Sequence, residues 1–307
     1  MIYEDITKTV GNTPIIKLDR LVRSFGLCGT LLAKTESRNP LGSSKDRVGI
    51  AIVENALASG KLTVGGTVIE ATSGNTGIGL AMACAVKGCT LVLTMPETMS
   101  IERRKLLSAL GATVVLTDGK LGMAGAVQKA QEILESTPNS IIANQFSNLV
   151  NPQIHRETTA KEILADTDGN IDYFVASVGT GGTLSGIAEV LKKENKGVSI
   201  VAVEPKASPL LSKGVSGAHK IQGIGANFIP ETLNRDVIDQ IIAVSDDDAY
   251  LGARALGKTE GFTCGISGGA TLYAGLEILK NNPNSCVLVF LADGGDRYLS
   301  TDLFEEE

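Results

Sequence analysis

Tyr173-Phe-Val-Ala-Ser-Val178 runs straight into Gly179-Thr180-Gly181-Gly182-Thr183, and residues 184–193 then have the length and spacing of a helix. A short, unbroken run of aliphatic and β-branched residues is the pattern of a strand buried on both faces. Glycines at its end let backbone N–H groups approach an anion, and the start of the following helix favours negative charge. The loop is therefore a candidate phosphate cradle; the alternative is a plain tight turn that needs positive φ. It is not the dinucleotide fingerprint, which would need glycine where Leu184 stands.

The same alternation extends in both directions. Comparable strand-like runs lie at 31–33, 67–71, 91–95, 113–117, 140–143, 199–203, 241–244 and 286–291. Helix-length stretches lie at 45–59, 78–87, 101–110, 123–135, 152–165, 246–256 and 270–280. This pattern predicts an α/β fold of open, mostly parallel, twisted sheets covered by helices, and nine strands suit two sheets better than one. The expected seam is 148–152, a polar stretch with a proline near mid-chain. Ligands of open α/β sheets bind beyond the carboxyl ends of the strands, so chemistry is sought in the loops there.

Composition narrows the field. At 307 residues the chain has about two domains' worth of polypeptide. A net charge of −6, with basic clusters only at 103–105 and 192–193 and no aromatic residues among them, argues against nucleic acid as a partner. Five scattered cysteines without a CxxC pair, and two distant histidines, give no metal-ligand spacing. The acidic N-terminal stretch has no signal-peptide core, and the longest fully apolar run, 286–292, is too short for a bilayer. The expectation is a cytoplasmic protein with no membrane partner. The 35 glycines cluster in short loops between apolar runs, which points to ligand-facing turns.

Three other loops could carry chemistry. Thr72-Ser73-Gly74-Asn75-Thr76-Gly77 gathers hydroxyls, an amide and a helix start, which suits a small carboxylate; ordinary capping by Ser73 or Thr76 is the alternative. Lys45, in Ser43-Ser44-Lys45-Asp46-Arg47, opens a helix where the dipole disfavours a cation, so it either points to solvent or is tuned for covalent work. Ser267, in 264–269, opens the last long helix and could be no more than a cap. Gly252 to Thr259 formally matches a P-loop. However, Ser245 followed by three aspartates marks a helix start, so that match lies inside a helix and not after a strand.

Together these segments resemble the fold-type II pyridoxal-phosphate enzymes, and within them the cysteine synthase (O-acetylserine sulfhydrylase) family. The likeness runs through VGNTPIIKL (10–18), NPLGSSKDR (39–47), EATSGNTGIGLA (70–81), MPETMSIERRKLLSALGA (95–112), NQFSN (144–148), GTGGT (179–183), VEP (203–205), GIGANFIP (223–230), CGISGGA (264–270) and DGGDRYLST (293–301). It implies a tryptophan synthase β-like fold with a smaller, mobile substrate-binding domain at 45–148 and a larger cofactor-binding domain of 1–44 plus 149–307. It implies that Lys45 holds pyridoxal 5'-phosphate as a Schiff base and shuttles the Cα proton. Gly179, Thr180, Gly181, Gly182 and Thr183 would cradle the phosphate, Asn75 would bind the 3′-oxygen and Ser267 would face the pyridine nitrogen. Thr72, Ser73, Thr76 and Gln145 would bind the substrate carboxylate.

The reaction so implied is β-replacement, in which O-acetyl-L-serine and sulfide give L-cysteine through an aminoacrylate. A neutral serine at the ring nitrogen tempers the electron sink, which favours expelling a β-substituent. The resemblance also implies a homodimer and a serine acetyltransferase C-terminus as a partner. One departure is Asn227, where the family's GIGAGF carries glycine and serine-using relatives tend to carry aspartate. It makes a related enzyme using serine, O-phosphoserine or cysteine the alternative. The lack of sequence after Glu307 is an expectation against an appended regulatory domain.

Overall fold

The structure, a computed structural model, describes residues 1–195 and 197–305. It comprises two compact units, one of residues 1–10 and 39–151, the other of residues 11–38 and 152–307. These bounds differ from those expected at the N-terminus. Residues 1–10 fall in the smaller unit because the turn Ile6–Thr9 packs on the helix Asn75–Lys87. Residues 39–44 join it as the lead-in to the helix Lys45–Ala58.

In the smaller unit β3 (Thr67–Ala71), β4 (Thr90–Pro96), β5 (Thr113–Thr117) and β6 (Ser140–Ile142) form a parallel sheet in the order β5-β4-β3-β6. In the larger unit β1 (Ile15–Lys17), β2 (Thr30–Thr35), β7 (Tyr173–Ser177), β8 (Ser199–Pro205), β9 (Gln240–Val244) and β10 (Cys286–Leu291) form a sheet in the order β1-β2-β10-β7-β8-β9. Only the β1–β2 pairing is antiparallel. β7 and β10 lie inside this sheet, and Phe174, Val175, Ala176, Leu288 and Val289 are fully buried, as the unbroken apolar runs require.

Capping chemistry sets the start of one long helix. Ser245 accepts from the Asp248 amide and opens Asp246–Glu260, with three aspartates in its first turn complementing the dipole. The P-loop-like residues 252–259 therefore lie within a helix. The stretch expected as one helix at 152–165 is instead a short α-helix, Val150–Ile154, a π-helical turn, His155–Thr159, and a second α-helix, Ala160–Thr167. All five cysteines are free.

Candidate functional site

In the smaller unit the expected carboxylate loop leaves the carboxyl end of β3. The helix behind it begins at Asn75, three residues before the expected start, and its cap is Gly74 with no side-chain hydrogen bond. Neither Ser73 nor Thr76 caps, so the bland explanation for their hydroxyls fails. The Gly74 amide donates to Thr72 Oγ1 (3.2 Å), and Thr76 Oγ1 donates to Gln145 Oε1 (2.6 Å). Thr76 and Gln145 are both buried, 69 residues apart in sequence, and the β3–β6 pairing brings them together.

Behind them lies Glu70, which sequence reasoning missed. Its carboxylate accepts from the backbone amides of Asn144 (2.9 Å) and Gln145 (3.4 Å) and so fixes the course of that segment. Burial pushes its carboxyl up to about 7 against these hydrogen bonds. The one available signal was a lone carboxylate in an otherwise aliphatic strand.

Lys45 is the first residue of the helix Lys45–Ala58, flanked by buried Ser43, Ser44, Asp46 and Arg47. Its place is set by a close helix crossing. A Cβ built on Gly79 would lie 2.2 Å from the Lys45 carbonyl oxygen, and one on Gly49 would lie 2.5 Å from the Gly79 oxygen. Only glycines let the helices bearing Lys45 and Asn75 approach this closely. Lys45, Thr72, Ser73, Asn75, Thr76 and Gln145 thus belong to one unit.

The larger unit holds the rest. Gly181 has φ +80 and caps the helix Gly182–Glu194 with no side chain. A Cβ there would meet Leu233 Cβ at 2.6 Å, so both the backbone conformation and the space demand glycine. The first-turn amides of an α-helix have no acceptor within the helix; here the glycine cap brings no side chain to them, and the Gly182 amide donates to Thr180 Oγ1 at 3.4 Å. Thr232 Oγ1 donates to the Thr180 carbonyl (2.6 Å) and holds the loop's near side. Thr183, 8% exposed, is 3.1 Å through Oγ1 from His155 Nε2, a second residue that sequence reasoning missed, since a lone histidine on a helix reads as core.

Ser267 sits in the first turn of Ile266–Asn281, whose cap is Gly265, so it is no cap either. It is 5% exposed. Asn227 takes φ +62, a region that glycine and asparagine tolerate best, and its Oδ1 accepts from Ser208 Oγ (3.1 Å). Its loop lies against the cradle: a Cβ on Gly179 would strike the Gly223 carbonyl oxygen at 2.3 Å.

These features suit pyridoxal phosphate. A helix start capped by a glycine suits the phosphate. A buried hydroxyl suits a ring nitrogen, and a lysine at a helix start suits the aldehyde. Burial pushes the Cys84 thiol up to about 12 and raises Cys264 as well, which makes these two poor nucleophiles. Among the described residues no cluster of His, Cys, Asp or Glu could hold a metal ion, and no helix is long and apolar enough to cross a membrane.

A chain of two parallel α/β units with such a loop is the architecture of a cofactor-dependent enzyme, and the model of the pyridoxal-phosphate dependent enzymes matches residues 6–293; the chain belongs to that family. Within it, the chain is 50% identical over 303 residues to cysteine synthase B of Campylobacter jejuni subsp. jejuni, with 99% of each chain covered. The crystal structure of a cysteine synthase from Entamoeba histolytica has a TM-score of 0.96 at 43% identity, covering 100% of this chain and 93% of that one. A hydrogen sulfide-producing enzyme from Fusobacterium nucleatum has a TM-score of 0.93 at 41% identity, covering 97% and 99%.

Proposed function

We infer that this chain forms L-cysteine from O-acetyl-L-serine and sulfide by pyridoxal-phosphate dependent β-replacement. The observation that carries this reading is full-length similarity to cysteine synthases together with Lys45, the glycine-capped loop and Ser267 at matching motif positions. Once bound, the cofactor supplies an electron sink for the carbanion at the substrate Cα. Lys45 Nζ would carry the cofactor, take the Cα proton and return it at the end of the cycle. The amides of Gly179 to Thr183 would bind the phosphate, with Thr180 and Thr183 adding hydroxyls. Ser267 would hydrogen-bond the ring nitrogen as a neutral partner, and Asn75 the 3′-oxygen.

Thr72, Ser73, Thr76 and Gln145 would hold the α-carboxylate. The Thr76–Gln145 hydrogen bond orients the pair, and Glu70 fixes the backbone on which Gln145 sits. A carboxylate bound to both segments would draw the smaller, mobile unit's two loops around the reacting carbons and exclude water there.

The same reading makes the protein cytoplasmic and homodimeric, with the C-terminus of a serine acetyltransferase as a peptide partner. Sedimentation of the purified protein, alone and with that peptide, tests both associations. A second reading, release of sulfide from cysteine, is favoured by Asn227 in place of glycine and by likeness to the sulfide-producing enzyme.

The direct test has two parts. Borohydride reduction of the yellow protein followed by peptide mapping should find the cofactor on Lys45, and Lys45→Ala should abolish turnover. kcat/KM ranked for O-acetylserine, O-phosphoserine, serine and cysteine should place O-acetylserine first. A fully active Lys45→Ala protein would sink the assignment, and cysteine at the head of the ranking would favour the second reading.

A further inference from the structure

We propose that His155 is a positioning residue that fixes the direction of the Thr183 hydroxyl, so that its proton is presented to the cofactor phosphate. The proposal rests on the reading that Thr183 helps to hold that phosphate. His155 is fully buried, and each ring nitrogen meets a buried hydroxyl: Nε2 lies 3.1 Å from Thr183 Oγ1 and Nδ1 lies 2.9 Å from Thr159 Oγ1. The ring is edge-on to Phe290, with centroids 6.4 Å apart at 84°.

The π-helical turn His155–Thr159 brings residues 155 and 159 into line, and such turns recur at functional sites. The helix behind the cradle presses on this turn. A Cβ on Gly186 would strike the Pro152 carbonyl oxygen at 2.3 Å and His155 Cβ at 2.9 Å, so the imidazole has a fixed seat.

Hydrogen-bond direction then follows from counting protons. A hydroxyl has one proton and two lone pairs, and a neutral imidazole has one donor and one acceptor. If Thr183 Oγ1 gives its proton to a phosphate oxygen, only a lone pair remains for His155, so Nε2 must donate. Nδ1 is then the acceptor, and the Thr159 hydroxyl must donate to it. The relay runs Thr159 to His155 to Thr183 to phosphate, with every proton assigned. Without His155 the Thr183 hydroxyl is free to turn away, and the cradle loses an oriented donor to an anion.

The chain has only two histidines, so the nitrogen signals of uniformly labelled holoenzyme are simple to assign with a His219→Gln variant. The proposal expects a neutral ring at His155 with its proton on Nε2. Cofactor dissociation constants, measured by titrating the apoprotein with pyridoxal phosphate, provide a second readout. His155→Leu should weaken binding about tenfold, the scale of one hydrogen bond to a charged group. His155→Gln, whose side-chain amide can donate toward Thr183, should recover most of that loss.

The double variant of His155→Leu with Thr183→Val should bind no worse than Thr183→Val alone. A proton on Nδ1, additive losses in the double variant, or weakened binding in Thr183→Val beside unchanged binding in His155→Leu would each overturn the positioning role. Unchanged binding in Thr183→Val would remove the phosphate reading, and this inference with it. The nitrogen measurement on the wild-type protein decides the matter even where a variant fails to fold.

Discussion

Gly79→Ala is the sharpest test of what places the lysine. The added Cβ would lie 2.2 Å from the Lys45 carbonyl oxygen, 2.8 Å from its carbonyl carbon and 3.2 Å from the Asp46 amide nitrogen, and all three are backbone atoms. No side-chain rotation relieves such a contact, so the two helices must separate by roughly 1 Å to regain van der Waals distance. Overpacking of this kind costs about 1–3 kcal/mol, which should lower the melting temperature by on the order of 5 °C. Activity should suffer more. The displaced atoms are the backbone of Lys45, and a misplacement of about 1 Å in a reacting group can cost about a hundredfold in rate.

The assay pairs thermal melts with kcat/KM for O-acetylserine at saturating sulfide. Gly257→Ala is the control, because its helix has room there, the nearest atom being Thr263 Cγ2 at 3.7 Å. It should gain about 0.5–1 kcal/mol from helix propensity and leave turnover alone. Gly79→Ala with turnover within twofold of wild type and an unchanged melt would refute the claim that this crossing seats Lys45.

Gly181→Asp should sharply reduce retained cofactor after dialysis, since it forces a side chain against Leu233 and a negative charge into the cradle, whereas Lys258→Ala should be nearly silent. Glu70 gives a pH dependence. Its folded-state value, about 7, lies above its ordinary 4.5, so its contribution to stability is fully present below 4.5 and is lost as pH rises through 7. Between pH 4.5 and 8 the wild type should lose up to about 3 kcal/mol relative to Glu70→Gln, read by denaturant melts, and parallel curves would refute this. Asn227→Gly should keep or raise activity with O-acetylserine, while Asn227→Asp should shift the donor ranking toward serine or cysteine about tenfold. An unchanged ranking in both would mean that Asn227 serves its φ of +62 and its bond to Ser208 alone.

Legibility followed burial. Strands covered on both faces, such as β7 and β10, announce themselves as unbroken apolar runs. β1 escaped because it has three residues, pairs on one side only and is partly exposed, so no run of that kind exists there. Local propensity places the start of the helix after β3 at 78, because Thr, Ser, Asn and Gly favour loops. Tertiary packing against the helix Lys45–Ala58 overrides that preference and winds Asn75 to Gly77 into the first turn. The break of 152–165 into two α-helices around a π-turn has no signal in apolar spacing, since the buried positions fit one continuous helix nearly as well.

The candidate site divides along the same physical line. Residues proposed to touch cofactor or substrate, Lys45, Thr72 to Thr76, Gly179 to Thr183 and Ser267, lie where a strand or loop passes into a helix. Glycine and hydroxyl residues concentrate there against the local apolar pattern, and that contrast is visible in one dimension. Glu70 and His155 lie one layer behind, Glu70 as the one carboxylate of β3 and His155 as a buried residue of the polar turn His155–Thr159. A buried polar group in that position is costly unless it is hydrogen-bonded, so its partners explain its presence. The partner that ties each to the site is 75 residues away for Glu70 and 28 for His155, beyond any local pattern. Where a motif-bearing loop has been found, the informative next residue is therefore a buried polar group, distant in sequence, that hydrogen-bonds to that loop.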